Sequence, residues 1–221
     1  MLNEIFTHVN MREFAWDCGA GSGQFTQLLS SHFKYVVATD LSAQQLKHAP
    51  KLDNVQYSVQ QAEKTSFADQ SFDLITVAQA IHWLNFDDFY REVKRTLKPN
   101  GILAVVGYGL LHVDHVSINA KIQHVYHHIL GSYWNPELRY IDEAYQTIPF
   151  VEISVPKFTM SYEWNATQLL GFLNTWSAVK HFKQQTGKDP LLELIELLQP
   201  LNEQFRIQFP ILLRIGRLQS V

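Results

Sequence analysis

The chain has 221 residues, of which 46% are hydrophobic and 18% are charged, and its formal net charge is −3 at pH 7. This balance predicts a globular domain with a buried core, and it leaves no basic surface that would bind nucleic acid. The single cysteine, Cys18, excludes an internal disulfide and a cysteine-rich zinc site. No apolar run is long enough to span a membrane and no signal peptide is evident, so we expect a cytoplasmic protein without a membrane partner.

The first strong pattern lies in residues 14–25. An apolar run ends at Asp17, and Gly19, Gly21 and Gly23 follow at alternate positions. Because glycine adopts positive φ freely, the pattern predicts a strand, a tight turn that a ligand can approach, and a helix N-terminus. A purely structural turn is the alternative. The spacing does not match the G-x-G-x-x-G fingerprint, which disfavours a nicotinamide-dependent oxidoreductase.

Two strands are predicted after the first helix. The run 35–40 ends at Asp40, whose carboxylate could accept both ribose hydroxyls of an adenosine. Alternatively, Asp40 could cap the helix predicted over 41–46. The run 55–59 alternates as a third strand and leads into a polar corner at 60–63.

Strands at 71–77 and 102–106 flank an amphipathic helix at 87–97, and Lys98-Pro99-Asn100-Gly101 is expected to stop that helix. Strands that alternate with helices predict a parallel sheet, whose ligands bind beyond the carboxyl ends of the strands. The segment 79–83 follows the fourth strand and therefore belongs to the same edge as the glycine turn.

The second half of the chain is expected to carry a strand over 151–162 bent at Pro156, a helix at 166–175 capped by Asn165, and a helix at 191–198. A last strand is expected at 209–215. The histidines between 112 and 128 lack the H-E-x-x-H glutamate, so no metal site is predicted. Aromatic and basic side chains of this half are candidates for the lining of a ligand pocket: Tyr145, Trp176, Arg139, Arg214 and Arg217.

Three segments together resemble class I S-adenosylmethionine (SAM)-dependent methyltransferases of the type 11 group. They are D-x-G-x-G-x-G at 17–23, F-D-L-I-T-V-A-Q-A-I-H-W at 72–83 and F-Y-R-E-V-K-R-T-L-K-P-N-G at 89–101. The A-Q-A-x-H-W segment, with W-N-P-E at 134–137 and T-I-P-F at 147–150, is similar to the trans-aconitate-methyltransferase-like branch. The resemblance implies a Rossmann-like α/β fold with a mostly parallel seven-stranded sheet flanked by helices. It also implies that the last strand, at 209–215, pairs antiparallel at the sheet edge. It also implies SAM as the cofactor and a small-molecule acceptor, with a carboxylate or hydroxyl oxygen as the methylated atom.

The resemblance also implies which residues bind the cofactor and the acceptor. The glycine turn would hold the methionine part, Asp40 the ribose, and Gln61 with Ala62 the adenine. The expected cofactor-binding residues are Asp17, Gly19, Ala20, Gly21, Gly23, Asp40, Leu41, Gln61, Ala62, Glu63, Ala78 and Gln79. The expected acceptor-binding residues are His82, Trp83, Tyr108 and Trp134. His82 is the candidate catalytic base for a hydroxyl acceptor, whereas a carboxylate needs no base. The alternative is that Trp83 only packs against the sheet edge and that His82 only forms a hydrogen bond to a loop.

We expect one methyltransferase domain over 1–221, with a SAM-binding core at 12–109 and an acceptor-side half at 110–221. Only about a dozen residues precede the first strand, so the N-terminal cover helices of the family are expected to be short or missing. That expectation supports an alternative function, a catalytically impaired SAM-fold binding module that lacks its N-terminal cover.

Overall fold

The computed structural model describes residues 1–145 and 149–218 of the chain. The strands in chain order are β1 Phe14–Cys18, β2 Tyr35–Asp40, β3 Val55–Val59, β4 Phe72–Ala78, β5 Leu97–Tyr108, β6 His112–Val113, β7 Val151–Ile153, β8 Phe158–Trp164 and β9 Phe205–Arg217. The α-helices are α1 Leu2–Thr7, α2 Gln24–Ser30, α3 Ala43–Leu46, α4 Phe86–Thr96, α5 Val116–His124, α6 Arg139–Asp142, α7 Ala166–Leu173, α8 Ser177–Thr186 and α9 Leu192–Leu198. Across these described residues, none of the helices combines the length and apolar character that crossing a membrane requires.

The chain divides into two compact units. The first comprises residues 1–108, 140–158 and the residues from 211 onward, and the second comprises 109–139 and 159–210. The first unit therefore consists of three separate chain segments, and β9 begins in the second unit and ends in the first.

Within the described residues of the first unit, the strands are ordered β3-β2-β1-β4-β5-β9-β7. Strands β1 to β5 are parallel to their neighbours, β9 is antiparallel to β5, and β7 is antiparallel to β9. The predicted mostly parallel sheet of seven strands is thereby confirmed. The prediction that the last strand lies at the edge is wrong, because β7 pairs with β9 on its outer side.

The sheet of the first unit has an apolar cluster on each face, because successive residues of a strand point to opposite faces. On one face, Trp16 of β1 and Ile75 of β4 pack in a cluster with Phe89 of α4. On the other face, Ala15 and Leu74 belong to a cluster with side chains of α1 and α2. Both strands are thus buried on both sides, which explains their almost continuous apolar sequence.

The N-terminal residues form a short helix, α1, rather than an extended arm. Ile5 and Phe6 of α1 are buried in the same cluster as Leu29 and Phe33. The Arg12 guanidinium lies 5.1 Å from the centre of the Phe6 ring and donates to the carbonyl of Phe6. These contacts fix α1 on the sheet face that also carries α2.

Two element boundaries of the first unit differ from the prediction. Helix α3 begins at Ala43 rather than at 41, because the hydroxyl of Ser42 accepts from the amide of Gln45 and so provides the N-cap. The alternative that Asp40 caps this helix is therefore wrong. Strand β5 begins directly after α4 and includes the expected stop signal at 98–101, with Asn100 at φ +62°.

In the second unit, β6 pairs antiparallel with residues 207–208 of β9. The predicted cap of α7 is confirmed: Asn165 accepts from the amide of Gln168, whose side chain accepts from the amide of Asn165. The single bent strand expected over 151–162 is instead two strands, β7 and β8, which belong to different units.

Candidate functional site

Four neighbouring parallel strands of the sheet, β2, β1, β4 and β5, end at the same edge. The register pairs Cys18 with Thr39 and with Val77, and Ala78 with Val106. The segments that follow β1, β2 and β4 therefore emerge side by side, as the sequence predicts for parallel strands.

The turn after β1 depends on its glycines. Gly19, Gly21 and Gly23 have φ values of +69°, +56° and +80°. A Cβ on Gly19 would lie only 2.5 Å from the Cβ of Ala80, so the turn packs directly against the segment that follows β4. A Cβ on Gly21 would meet no atom within 4 Å, so the backbone there borders open space. The turn is thus held on one side and accessible on the other. The predicted Ala20 lies within it, and its amide donates to the carbonyl of Thr39.

Asp40 is held at the end of β2 by two backbone amides. The amide of Gly21 donates to its Oδ2 and the amide of Ser42 donates to its Oδ1, each at 2.8 Å. Each carboxylate oxygen retains capacity for a further hydrogen bond, because a carboxylate offers about four acceptor positions. The half-buried carboxylate is thus oriented beside the glycine turn before any ligand binds.

Two exposed apolar side chains flank Asp40. Leu41 is 65% exposed, and Val59, the register partner of Asp40 in β3, is 55% exposed. Apolar surface left in solvent beside an oriented carboxylate is suited to the face of a planar base. The sequence analysis predicted Leu41 as a cofactor-binding residue but did not predict Val59. The position of Val59 at the end of a predicted strand was the signal that could have identified it.

Asp17 faces the interior. It is fully buried and accepts from the hydroxyls of Thr26 in α2, at 2.6 Å, and Thr76 in β4, at 3.0 Å. Burial raises the pKa of this carboxyl to about 6, although the two hydroxyl hydrogen bonds act in the opposite direction. Asp17 therefore fastens the start of α2 to β4, beneath the turn.

The residues of the polar corner after β3 differ in their exposure and in their hydrogen bonds. Gln61 is exposed and forms an isolated bridge with Lys64, whereas Ala62 is buried. Glu63 accepts from the amide of Asn85 at the start of α4, with a distance of 3.0 Å. The side chain of Glu63 thus anchors a neighbouring segment, and Gln61 is the polar side chain left at the surface.

Gln79 joins the ends of β4 and β5. Its amide donates to the carbonyl of Val106 at 2.8 Å, and its Nε2 donates to the carbonyl of Tyr108 at 3.3 Å. Its φ is +53°, an uncommon conformation for a residue other than glycine, and such strain is often retained at functional sites. Ala78 precedes it as the last residue of β4 and is half-buried.

His82 and Trp83 lie on a 3₁₀ turn, Ile81–Trp83, directly after this segment. The His82 ring is buried, with 4% of the residue exposed, and its centre lies 4.8 Å from that of Trp83. Trp83 is 54% exposed. The indole is accessible to a ligand in this structure, whereas the imidazole lies beneath it.

The predicted acceptor-binding residues do not all belong to the same unit. Trp134 belongs to the second unit, where its ring packs with Tyr126 and Trp176 and its Nε1 donates to the carbonyl of Tyr126. Trp176 and Arg139, which were also predicted as pocket residues, belong to the second unit as well, whereas the other predicted site residues belong to the first unit. Residues 147 and 148 of the T-I-P-F segment lie outside the described residues.

Two arginines considered as acceptor clamps have structural partners. Arg214 forms an ion pair with Glu152, and Arg217 donates to the carbonyls of Asn100 and His8. Arg217 pairs with Ile102, the first residue of β5 that pairs with β9, so it lies six residues along the strand from Tyr108.

The chain is similar to known methyltransferases. A family model described as a methyltransferase domain matches residues 16–105. A Dictyostelium discoideum protein described as a methyltransferase is 39% identical over 192 residues, which cover 85% of this chain and 73% of that protein. A Schizosaccharomyces pombe protein, also described as a methyltransferase, is 26% identical and is covered to 79%.

Solved structures agree with these matches. A type II methyltransferase from Anaeromyxobacter dehalogenans is 34% identical and superposes with a TM-score of 0.88, covering 98% of this chain and 94% of that one. A Haemonchus contortus phosphoethanolamine N-methyltransferase, in complex with phosphomonomethylethanolamine and S-adenosylhomocysteine, superposes at 0.51 with 18% identity. This second likeness, which covers 98% of this chain and 52% of that one, is one of fold alone.

Proposed function

This chain belongs to the class I SAM-dependent methyltransferases, and we propose that its methyl acceptor is a carboxylate or hydroxyl oxygen of a small molecule. The observation that carries the cofactor assignment is the Asp40 carboxylate, which the amides of Gly21 and Ser42 orient beside the glycine turn. The choice of oxygen is supported by the residues after β4. Segment 78–83 offers an amide, an imidazole and an indole but no acidic side chain that would hold a cationic amine.

The residues present fit SAM. The open space over Gly21 accommodates the methionine chain, because no side chain is there to exclude it. We propose that Asp40 accepts the ribose hydroxyls and that Leu41 and Val59 contact the adenine, which the exposure of both apolar side chains beside Asp40 supports. The exposed amide of Gln61 is the adjacent group for the polar edge of the base. We assign Asp17 and Glu63 to holding the surrounding segments rather than to direct contact.

When bound, SAM supplies a sulfonium methyl group, whose transfer forms one C–O bond, breaks one C–S bond and leaves S-adenosylhomocysteine. The protein's part is to hold the acceptor oxygen in line and exclude water. Gln79 fixes the ends of β4 and β5 relative to each other, and Trp83 gives the acceptor an aromatic surface. A carboxylate acceptor is already ionised, whereas a hydroxyl must lose its proton, for which His82 is the nearest proposed base.

The test combines cofactor binding with two acceptor probes. We expect the purified chain to bind S-adenosylhomocysteine at one site in a calorimetric titration, and to methylate trans-aconitate or catechol with labelled SAM. Trans-aconitate is chosen because of the A-Q-A-x-H-W and W-N-P-E segments, and catechol because it is a hydroxyl acceptor. A folded chain that binds no S-adenosylhomocysteine would instead support the impaired binding module. A chain that binds it but methylates neither probe would refute the proposed acceptor class.

A further inference from the structure

A buried hydroxyl near the proposed acceptor site lacks a hydrogen bond. Tyr145 is 5% exposed, and its Oη has no hydrogen-bond partner within residues 1–145 and 149–218. Most buried polar groups in proteins are paired, because an unpaired one retains its full cost of desolvation. The exception suggests that another molecule supplies the missing partner.

The hydroxyl lies against the end of β5. A Cβ on Gly107 would lie 2.5 Å from the Tyr145 Oη and 2.7 Å from its Cε2, so only a glycine leaves room for the phenol. Gly107 stands between Val106 and Tyr108, the two residues whose carbonyls accept from Gln79. Tyr145 is therefore placed where β5 is joined to the segment that follows β4.

A series of contacts links Tyr145 to the glycine turn. Gly19 packs on Ala80, Ala80 follows Gln79, and Gln79 bonds the residues on either side of Gly107. The backbone that presents the phenol is itself strained, because Ala144 and Tyr145 both have φ +53°. An unpaired donor held by a strained backbone is a costly arrangement for a residue that only fills space.

The phenol is a donor and not a base. Burial, followed by the proximity of Tyr108, raises the pKa of Tyr145 far above its usual value, so the hydroxyl keeps its proton at neutral pH. Its natural complement is an oxygen with a free lone pair.

We propose that the Tyr145 hydroxyl donates a hydrogen bond to the methyl acceptor, at an oxygen next to the one that receives the methyl group. This inference rests on the proposed function. A hydrogen bond to the attacking oxygen would withdraw electron density from the nucleophile directly, whereas a bond to its neighbour orients the acceptor with a smaller loss of nucleophilicity. The acceptor class is therefore a molecule with two oxygen atoms close together, either on one carbon as in a carboxylate or on neighbouring carbons as in a 1,2-diol. Both probes named above have this feature.

The experiment compares two variants with a matched control. Tyr145→Phe removes only the hydroxyl, and Gly107→Ala places a methyl group where the phenol lies. Tyr35→Phe is the control, because that phenol is 47% exposed and its ring stacks on Phe14 at the amino end of β2. For each protein we would measure the KM of the methylated probe, the Kd for S-adenosylhomocysteine and the urea midpoint of unfolding.

We expect the KM of the probe to rise about tenfold or more in Tyr145→Phe and in Gly107→Ala, which is the size of one lost hydrogen bond. The Kd for S-adenosylhomocysteine should stay within about twofold of the original value, and Tyr35→Phe should match the original chain in all three quantities. The urea midpoint of Tyr145→Phe should be unchanged or higher, since no bond within the protein is lost.

Three results would overturn the inference, and only the third is also a failure of the proposed function. An unchanged KM in Tyr145→Phe would remove the hydroxyl from the acceptor site while methyl transfer itself stands. A lower urea midpoint for Tyr145→Phe would show that the hydroxyl has a partner within the protein. If the original chain binds S-adenosylhomocysteine but methylates neither probe, the proposed acceptor class fails and this inference fails with it.

Discussion

Asp17 and Asp40 end adjacent parallel strands, yet their surroundings are opposite. Asp17 is buried between two threonine hydroxyls, whereas Asp40 is held by two backbone amides beside open space. The sequence predicts both acids at the same edge because each closes an apolar run. It does not predict which one faces a ligand, since that depends on Thr26 and Thr76 lying close together in the folded chain. Burial separates the acid that supports the turn from the acid that we propose binds ribose.

Replacing Asp40 with alanine should weaken S-adenosylhomocysteine binding by about 1.5–3 kcal/mol, the range for a hydrogen bond to a charged group. The reason is that two acceptors for the ribose hydroxyls disappear together with the anchor of the Gly21 amide. Calorimetric titration measures the change, and Asp53→Ala, at an exposed acid in the loop before β3, is the control. Equal affinity in the Asp40 and Asp53 variants would exclude Asp40 from the cofactor site.

Replacing Asp17 with asparagine should change how stability depends on pH. The folded-state pKa of Asp17 is raised from 3.8 to about 6, so the folded chain holds this proton more tightly than the unfolded chain. The resulting stabilisation is fully present below the unfolded pKa and is lost as pH rises through about 6, and it amounts to about 3 kcal/mol. Between pH 4 and pH 7, the free energy of unfolding should therefore fall more in the original chain than in Asp17→Asn.

Urea denaturation at several pH values in that window measures the difference. Asparagine has nearly the same shape as aspartate but does not titrate. The pH profile of Asp17→Asn therefore shows how stability changes with pH through all the other titrating groups. Parallel pH profiles for the two proteins would show that Asp17 has an ordinary pKa in the folded chain.

At the scale of elements, the sequence predicts the end of a helix or strand well where the residues that determine this end are close together in the chain. The cap at Asn165 is one case, because its bonds reach only to Gln168. Helix α8 is the opposite case, since the sequence analysis did not predict it. Only Ala178 and Val179 of this helix are buried, so it has no pronounced apolar stripe for sequence reasoning to detect. The separation of β7 from β8 was missed because it depends on where each strand finds its partner along β9.

The glycine turn offers a test within one element, because two of its glycines differ in their surroundings. Gly19→Ala combines positive φ with a clash at Ala80, whereas Gly21→Ala has positive φ and no neighbouring atom. Without ligand, Gly21→Ala should cost about 1–2 kcal/mol of unfolding free energy, the cost of the left-handed conformation, and Gly19→Ala should cost more. Urea denaturation compares the two variants.

Both variants should weaken S-adenosylhomocysteine binding, Gly19→Ala by displacing the turn and Gly21→Ala by filling the space proposed for the methionine chain. Gly131→Ala is the control, because this residue lies in the second unit and a Cβ there meets no atom within 4 Å. Full binding by Gly21→Ala would show that the ligand does not occupy the space over that residue.

At the scale of the whole molecule, the sequence predicts the order of elements better than their grouping. In the structure the chain first passes from one unit to the other after Tyr108, the last residue of β5, and the functional division expected near residue 109 stays a prediction. The antiparallel return of the last strand to the sheet was predicted, and β9 pairs with β5 across about a hundred residues of chain. The return of 140–158 to the first unit was not predicted, because it depends on β7 pairing with β9, and such long-range pairing leaves no local pattern.

The two units give a last prediction, on how ligand binding spreads through the chain. At a ligand concentration 100 times its Kd, S-adenosylhomocysteine should stabilise whatever part of the protein must be folded to bind it by about 2.7 kcal/mol. The proposed cofactor residues all belong to the first unit, and the second unit has buried apolar side chains of its own, such as Ile118 and Leu169. We therefore expect hydrogen exchange at the buried amides of Trp16 and Ile75 to slow about 100-fold with ligand, while the amides of α7 exchange at unchanged rates. The Asp40→Ala variant, measured at the same ligand concentration, should lose most of the effect. Equal slowing in both units would mean that they unfold as one cooperative body, so that the division seen in the fold has no counterpart in stability.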